Sequence, residues 1–160
     1  MDTLADLLVR RRSEVERKRK GTGFNHMHAA ALVPHNRFEH ILSYSENKPS
    51  GSQFWTTHAE QGAIMKLPKE KGRKPRPVDV LVIRVNKNGR LGMSRPCANC
   101  IHCMAMKAPE LGYRIKHVYY SDRDGNIVRE NFRLLAQDGN PHVSKFFSRT
   151  CSDSNHNCMM

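Results

Sequence analysis

Apolar and polar positions change their period several times along the chain. From residue 3 to about 20, Leu4, Leu7, Leu8 and Val15 recur at roughly helical spacing, and Gly21-Thr22-Gly23 closes the segment. Thr3 and Asp6 stand at capping-box spacing at its start. Two short apolar runs follow, 28–33 and 38–44. Pro34-His35-Asn36-Arg37 lies between them, which predicts an antiparallel hairpin. Residues 47–53 are rich in Ser, Gly, Pro and Asn and predict a loop. A helix is predicted over 57–67, with Thr57 and Glu60 as a capping box, Ala63, Ile64 and Leu67 as its apolar stripe, and Pro68 as its stop. The most strand-like segment is 78–85. Its nearly continuous run of Val80, Leu81, Val82, Ile83 and Val85 suits a central strand covered on both faces. A helix over 98–107 comes next, then a strand over 115–120, a turn around Gly125 and a strand over 127–135. Helices and strands alternate through the middle of the chain. The pattern therefore predicts an α/β fold of three layers, with a mixed sheet of about five strands.

Length and composition narrow this only a little. The 160 residues suit one domain, and 38% hydrophobic residues exclude wholesale disorder, a collagen-like chain and a disulfide scaffold. No apolar stretch approaches 18 residues, so no membrane partner is expected. The first residues lack the basic-then-apolar order of an export signal, and five cysteines is an odd number. Both features point to free thiols in a reducing, cytoplasmic compartment, where closely spaced cysteines suggest a metal before a disulfide.

Charge changes the picture more. The formal net charge is +12, and it is concentrated. Residues 10–20 hold seven basic and two acidic side chains, net +5, and residues 66–76 hold six and one, again net +5. Such a field attracts polyanions, which makes nucleic acid a candidate partner; two solvated surface segments are the plain alternative. The chain divides into a basic N-terminal helix (1–22), a central domain (23–136) and a polar, weakly ordered tail (137–160).

Two short motifs carry chemistry. Thr57-His58-Ala59-Glu60 opens one predicted helix, and Pro96-Cys97-Ala98-Asn99-Cys100 opens another. One imidazole and two thiolates are three protein ligands, one fewer than a closed structural zinc site uses, and the vacancy suits a water. Zinc lowers the pKa of such a water to about 7. A helix N-terminus favours thiolate over thiol, and Pro96 costs nothing there because its missing N–H would have been unpaired. Glu60, two residues after the histidine, is placed to move protons rather than to ligate. Other groupings stay open. Cys97, Cys100 and Cys103 with His102 are able to form a closed site by themselves, although Cys103 reads better as a small buried side chain. Cys151, His156 and Cys158 in the tail form a weaker cluster.

With H-x-E followed by P-C-x-x-C, the chain resembles the cytidine and deoxycytidylate deaminase superfamily of zinc-dependent nucleobase deaminases. The likeness spans roughly residues 25–135. It implies a five-stranded mixed sheet with helices on both faces, a Zn2+ cofactor held by His58, Cys97 and Cys100, and a proton shuttle at Glu60. A tight hairpin across 122–126 implies that the last two strands are antiparallel. That arrangement is similar to the free cytidine deaminase branch and to several toxin and viral branches. Tyr44-Ser45-Glu46-Asn47 is the nearest match to that branch's ribose-binding N-x-E-N motif, with Tyr44 in place of the first Asn. Glu46 and Asn47 are thus candidate substrate contacts. Trp55 and Tyr120 are candidate aromatic clamps for a base, with Phe24 behind them, and His28, His35 and Arg95 are candidate phosphate contacts.

The expected function is hydrolytic deamination of cytosine to uracil in a nucleoside or nucleotide. Two other readings stay open. The first is deamination of cytosine within single-stranded nucleic acid, which the charge favours. The second is a non-catalytic zinc-bearing module that binds nucleic acid, against which the glutamate argues. A toxin or effector role and a homo-oligomeric state are compatible with the sequence but are not indicated by it.

Overall fold

The computed structural model describes Ser13 and residues 26–49, 56–86 and 88–139. Within them the chain runs through β1 (His26–Pro34), β2 (Ser43–Glu46), β3 (Lys48–Pro49), β4 (Thr56–Thr57), α1 (Ala59–Met65), β5 (Arg76–Asn86), β6 (Leu91–Gly92), α2 (Ala98–Glu110), β7 (Tyr113–Ser121), β8 (Ile127–Asn131) and α3 (Phe132–Ala136). The helix expected over 3–20, the aromatics Phe24 and Trp55, and the tail cysteines lie outside the described residues.

The architecture is an α/β fold on an open mixed sheet. Its strand order is β2-β1-β5-β7-β8, with the short β6 folded back onto β5, while β3 and β4 form a separate ribbon. β5 and β7 are parallel and joined through α2; the β1–β2, β1–β5 and β7–β8 pairs are antiparallel. The antiparallel arrangement of the last two strands follows from the 122–126 turn. There Asp122 Oδ1 accepts from the backbone N–H groups of Asp124 and Asn126, and Gly125 takes φ 85°, which favours glycine.

β5 explains its own sequence. Val78, Val80 and Val82 face one side, where they join Ala59, Ala63, Ile64, Cys100, Ile101 and Met104 from α1 and α2. Leu81, Ile83 and Val85 face the other side, where Ala29, Val33 and Tyr119 meet them. Each buried side chain of this size contributes about 1.5–3 kcal/mol, so the strand is apolar at both parities because both faces are covered. The described helices all supply the first cluster. On the second face, the described cover is Phe38 and Ile41 from the loop after β1, joined by Tyr44 and Leu91, with Phe38 set edge-on against Tyr119.

Three expectations need correction. The second hairpin strand is 43–46, not 38–44. The stretch before it is irregular because Phe38 and Ile41 turn onto the second face instead of continuing the ladder. The strand expected to 135 stops at Asn131, and 132–136 is helical. Phe132 and Leu135, three apart, are buried while Arg133 and Leu134 are exposed, and the Asn131 side chain caps the turn by accepting from Arg133 N at 2.9 Å. Thr57 and Glu60 form no capping box. His58 occupies the N-cap of α1 without a side-chain cap bond, and Glu60 is buried.

β7 carries one irregularity with consequences. Val78 pairs with Ile115, but Val80 pairs with Val118, so two steps along β5 match three along β7. The extra residue is a bulge at 116–117, and it turns His117 toward the second face.

Candidate metal centre

The first face of the sheet positions the motif residues. α1 and α2 both pack on it and against each other, and His58 and Cys97 are their respective N-cap residues. Neither side chain offers an oxygen to cap its helix. They turn toward each other instead. His58 Nδ1 lies 3.2 Å from Cys100 Sγ and 3.4 Å from Cys97 Sγ, and all three donor atoms fall within 4.8 Å of one another. Nitrogen and sulfur bound tetrahedrally to one zinc are expected about 3.6 Å apart, from Zn–N near 2.0–2.1 Å and Zn–S near 2.3 Å. The donor set is therefore close enough to hold a metal ion, and its chemistry fits zinc. Among the described residues this group includes neither His102 nor Cys103. Cys103 is half-buried and free, three residues beyond Cys100 on α2.

Close approach of α1 to the sheet keeps His58 in place. A Cβ at Gly62 would run into Ser45 Oγ on β2, so that position favours glycine. On the α2 side, a hydroxyl clamp fixes the segment leading to Cys97. Ser94 Oγ donates to Val82 O at 2.8 Å and accepts from Ser121 N at 2.7 Å, while Ser121 Oγ donates to Gly92 O at 2.6 Å. Arg95, two residues before Cys97, bridges Glu130 at 3.3 Å and Asp138 at 2.8 Å. No local pattern in the sequence signals the Ser94–Ser121 clamp, because its two serines stand 27 residues apart and meet only in the fold.

The electrostatics of the centre are those of a thiolate site. The Cys97 thiol is held well below its ordinary range, chiefly by its hydrogen bond with Cys100 and next by His58. Cys100 is raised, because it holds the proton in that bond and is buried beside Glu60. Hydrogen bonding to Cys97 holds His58 above its usual range, against the opposing effect of burial. Glu60 is 4% exposed, and burial raises its carboxyl above the ordinary range. Its carboxylate meets Cys100, so the acid stands at the edge of the donor set.

The remaining sequence candidates separate. Tyr120 is buried on the first face in the same cluster as Cys97 and Cys100, with its hydroxyl donating to Glu130 at 2.9 Å. Its ring is held by the Arg95 network. Arg95 itself is neutralised by two carboxylates. Asn47 Oδ1 accepts from His28 N at 2.8 Å and so closes the β1–β2 edge. Glu46 accepts from Tyr44 Oη at 2.6 Å, and Tyr44 packs on the second face. Strand alternation from Ser45, which meets α1, puts Glu46 on that same second face, away from the metal centre. His35 also lies on the second face, beside Asp79. The basic connector 66–76 is exposed apart from Leu67 and Glu70, and it sits at the far end of the fold: Glu70 N donates to Leu111 O and Arg76 N to Gly112 O. The candidate ligands Cys97 and Cys100 start α2 and the connector meets its end, about 20 Å away for 13 residues at 1.5 Å each.

No helix among the described residues is long and apolar enough to cross a membrane. No protein-family profile matches the chain, and no curated protein matches it.

Proposed function

We propose that the protein is a zinc-dependent hydrolytic deaminase that converts cytosine to uracil in a nucleoside or nucleotide, of the cytidine and deoxycytidylate deaminase type. The observation that carries this reading is the buried Glu60 beside a His58–Cys97–Cys100 donor set. A structural zinc site needs four ligands and no carboxylate at its edge, whereas this one offers three and a carboxylate.

His58, Cys97 and Cys100 would hold the metal. When bound, it would supply a water activated at neutral pH. Glu60 would then move two protons in turn. It would take the first from that water and give it to the ring nitrogen N3 of the base, and take the second from the oxygen newly bound to C4 and give it to the departing amino group. Its burial suits this shuttle, because a carboxyl raised above its ordinary range takes up a proton more readily than an exposed one. Tyr120 walls the same cluster with a ring fixed by Glu130.

Deamination of cytosine in single-stranded nucleic acid is the second reading, and only the charge favours it. The distance of the 66–76 connector from the metal ligands weakens that support. The test is uracil formation by the zinc-loaded chain, offered separately cytidine, deoxycytidine, CMP, dCMP, and single-stranded DNA and RNA. Turnover of a free nucleoside or nucleotide is expected. Uracil formed only in polymer would establish the second reading, and no uracil in any arm would remove both.

A further inference from the structure

A second cluster of donors lies on the opposite face of the sheet. His35, just after β1, Asp79 on β5 and His117 on the β7 bulge bring three potential ligand atoms within 4.8 Å of one another. His35 Nδ1 is 2.9 Å from Asp79 Oδ2, and His117 Nδ1 is 3.3 Å from Asp79 Oδ1. The two imidazoles stack at 5.4 Å with both Nδ1 atoms turned to the same carboxylate. Ligand atoms about 2.0–2.2 Å from one ion, subtending 90–109°, are about 2.8–3.6 Å apart, and Asp79 Oδ1 meets both rings at that spacing, 3.1 Å from His35 Nδ1 and 3.3 Å from His117 Nδ1.

Three observations set this cluster apart from an ordinary buried hydrogen-bond hub. Asp79 is fully buried, and among the described residues the basic side chains within 4 Å of its carboxylate are these two histidines, with no lysine or arginine. Nδ1 of His117 is sealed from solvent yet makes no hydrogen bond, because its approach to Asp79 is misdirected. The bulge places His117 here: a regular β7 ladder would have kept strict alternation past Ile115, and the extra residue lets His117 N donate to Asp79 Oδ1 at 3.1 Å as well.

We propose that His35, Asp79 and His117 form a second metal site, for Zn2+ or another late first-row divalent ion, separate from the thiolate centre. Two imidazoles and a carboxylate suit such ions, and three protein donors leave positions for water at the partly exposed histidine edge. Arg129 guards the site. Its Nη2 lies 3.0 Å from His117 Nε2, and since a guanidinium only donates, Nε2 accepts and the ring proton sits on Nδ1. Metal entry requires that proton to leave Nδ1, Nε2 to become the N–H, and Arg129 to withdraw. Arg129 is exposed, so nothing blocks its withdrawal.

The test is metal content of the full chain, stripped with chelator, reloaded with Zn2+ or Co2+ and dialysed. Two ions per chain are expected. With Co2+, one ion should show thiolate-to-metal charge transfer and the other only d–d absorption. Replacing both motif cysteines (Cys97→Ser with Cys100→Ser) should leave one ion and abolish the charge-transfer band. His35→Ala and His117→Ala should each lose the other ion and keep the band, which also reports that the chain has folded. Arg129→Ala should keep both ions and bind the second more tightly. A band with a single ion in the unaltered chain, or two ions retained in both histidine variants, would overturn the proposal. A single ion without the band would instead remove the thiolate centre and leave this site standing.

Discussion

The two faces of the sheet gather histidine in opposite ways. On the helical face, His58 meets two cysteines, and all three donors come from the first residues of helices. On the other face, His35 and His117 meet a carboxylate, and the ligands come from a strand, a bulge and a loop. The first cluster is held from outside by the Ser94–Ser121 clamp and the Arg95 bridges. The second holds its surroundings together, since Asp79 also accepts the backbone N–H of His117 and, at 3.4 Å, that of Asn36. Removing a ligand should therefore cost chemistry on one face and stability on the other.

The largest effect is expected from the helical face. Replacing both Cys97 and Cys100 by alanine should strip its metal and bring deamination to background, while the chain stays folded by circular dichroism. Retention of the thiolate metal signal in that variant would break the assignment of ligands. Glu60→Gln should act on the same face without touching the metal. The loss of a proton shuttle costs about 10²–10⁴ in rate, so turnover should fall at least that far with zinc content unchanged. Near-normal turnover would leave the buried carboxyl without a role.

On the opposite face the expected change is in stability. Asp79→Ala leaves the His35 imidazole and two backbone N–H groups without their acceptor and His117 without the carboxylate beside it, a disruption of a buried network worth about 3–5 kcal/mol. Denaturant unfolding should show that loss, with the thiolate metal still bound. If the loss is small and deamination falls instead, the two faces are coupled and the contrast between them fails.

The same contrast explains what is legible in the sequence. His58, Glu60, Cys97 and Cys100 stand within short motifs at two helix starts, so spacing along the chain already brings each pair together. The central strand is equally plain, because 78–85 is apolar at both parities. His35, Asp79 and His117 are separated by 44 and 38 residues and meet only through strand pairing and a bulge. No local pattern announces that meeting, and His35 taken alone reads as a phosphate contact. α3 is hidden for a different reason. Ile127 to Leu135 alternates well enough to pass for one strand, and only Asn131 as a cap, with Phe132 and Leu135 three apart, marks the change of period. Glu46 has the right neighbours for a ribose contact, but strand parity turns it to the face without the metal centre.

The smallest effect concerns charge, and it sharpens the comparison by adding distance along the sheet to the choice of face. Lys69, Lys71, Arg73 and Lys74 are exposed and make no ion pair among the described residues, whereas Arg76 pairs with Glu70 at 3.2 Å and Lys66 Nζ donates to Tyr44 O at 2.9 Å. These four head groups are the free field of the connector, at the far end of α2 from the metal ligands. Replacing all four by glutamine should leave turnover of a free nucleoside or nucleotide, zinc content and unfolding midpoint unchanged. Binding of single-stranded nucleic acid should weaken, and its log–log salt slope should flatten by about 0.7 for each phosphate no longer neutralised. Binding by itself decides little, because a net charge of +12 on 160 residues attracts polyanions whatever the chemistry. The decisive readout is the small substrate. A fall in its turnover would mean that the connector reaches the reacting base, which the length of α2 argues against, and would return the polymer reading to the front.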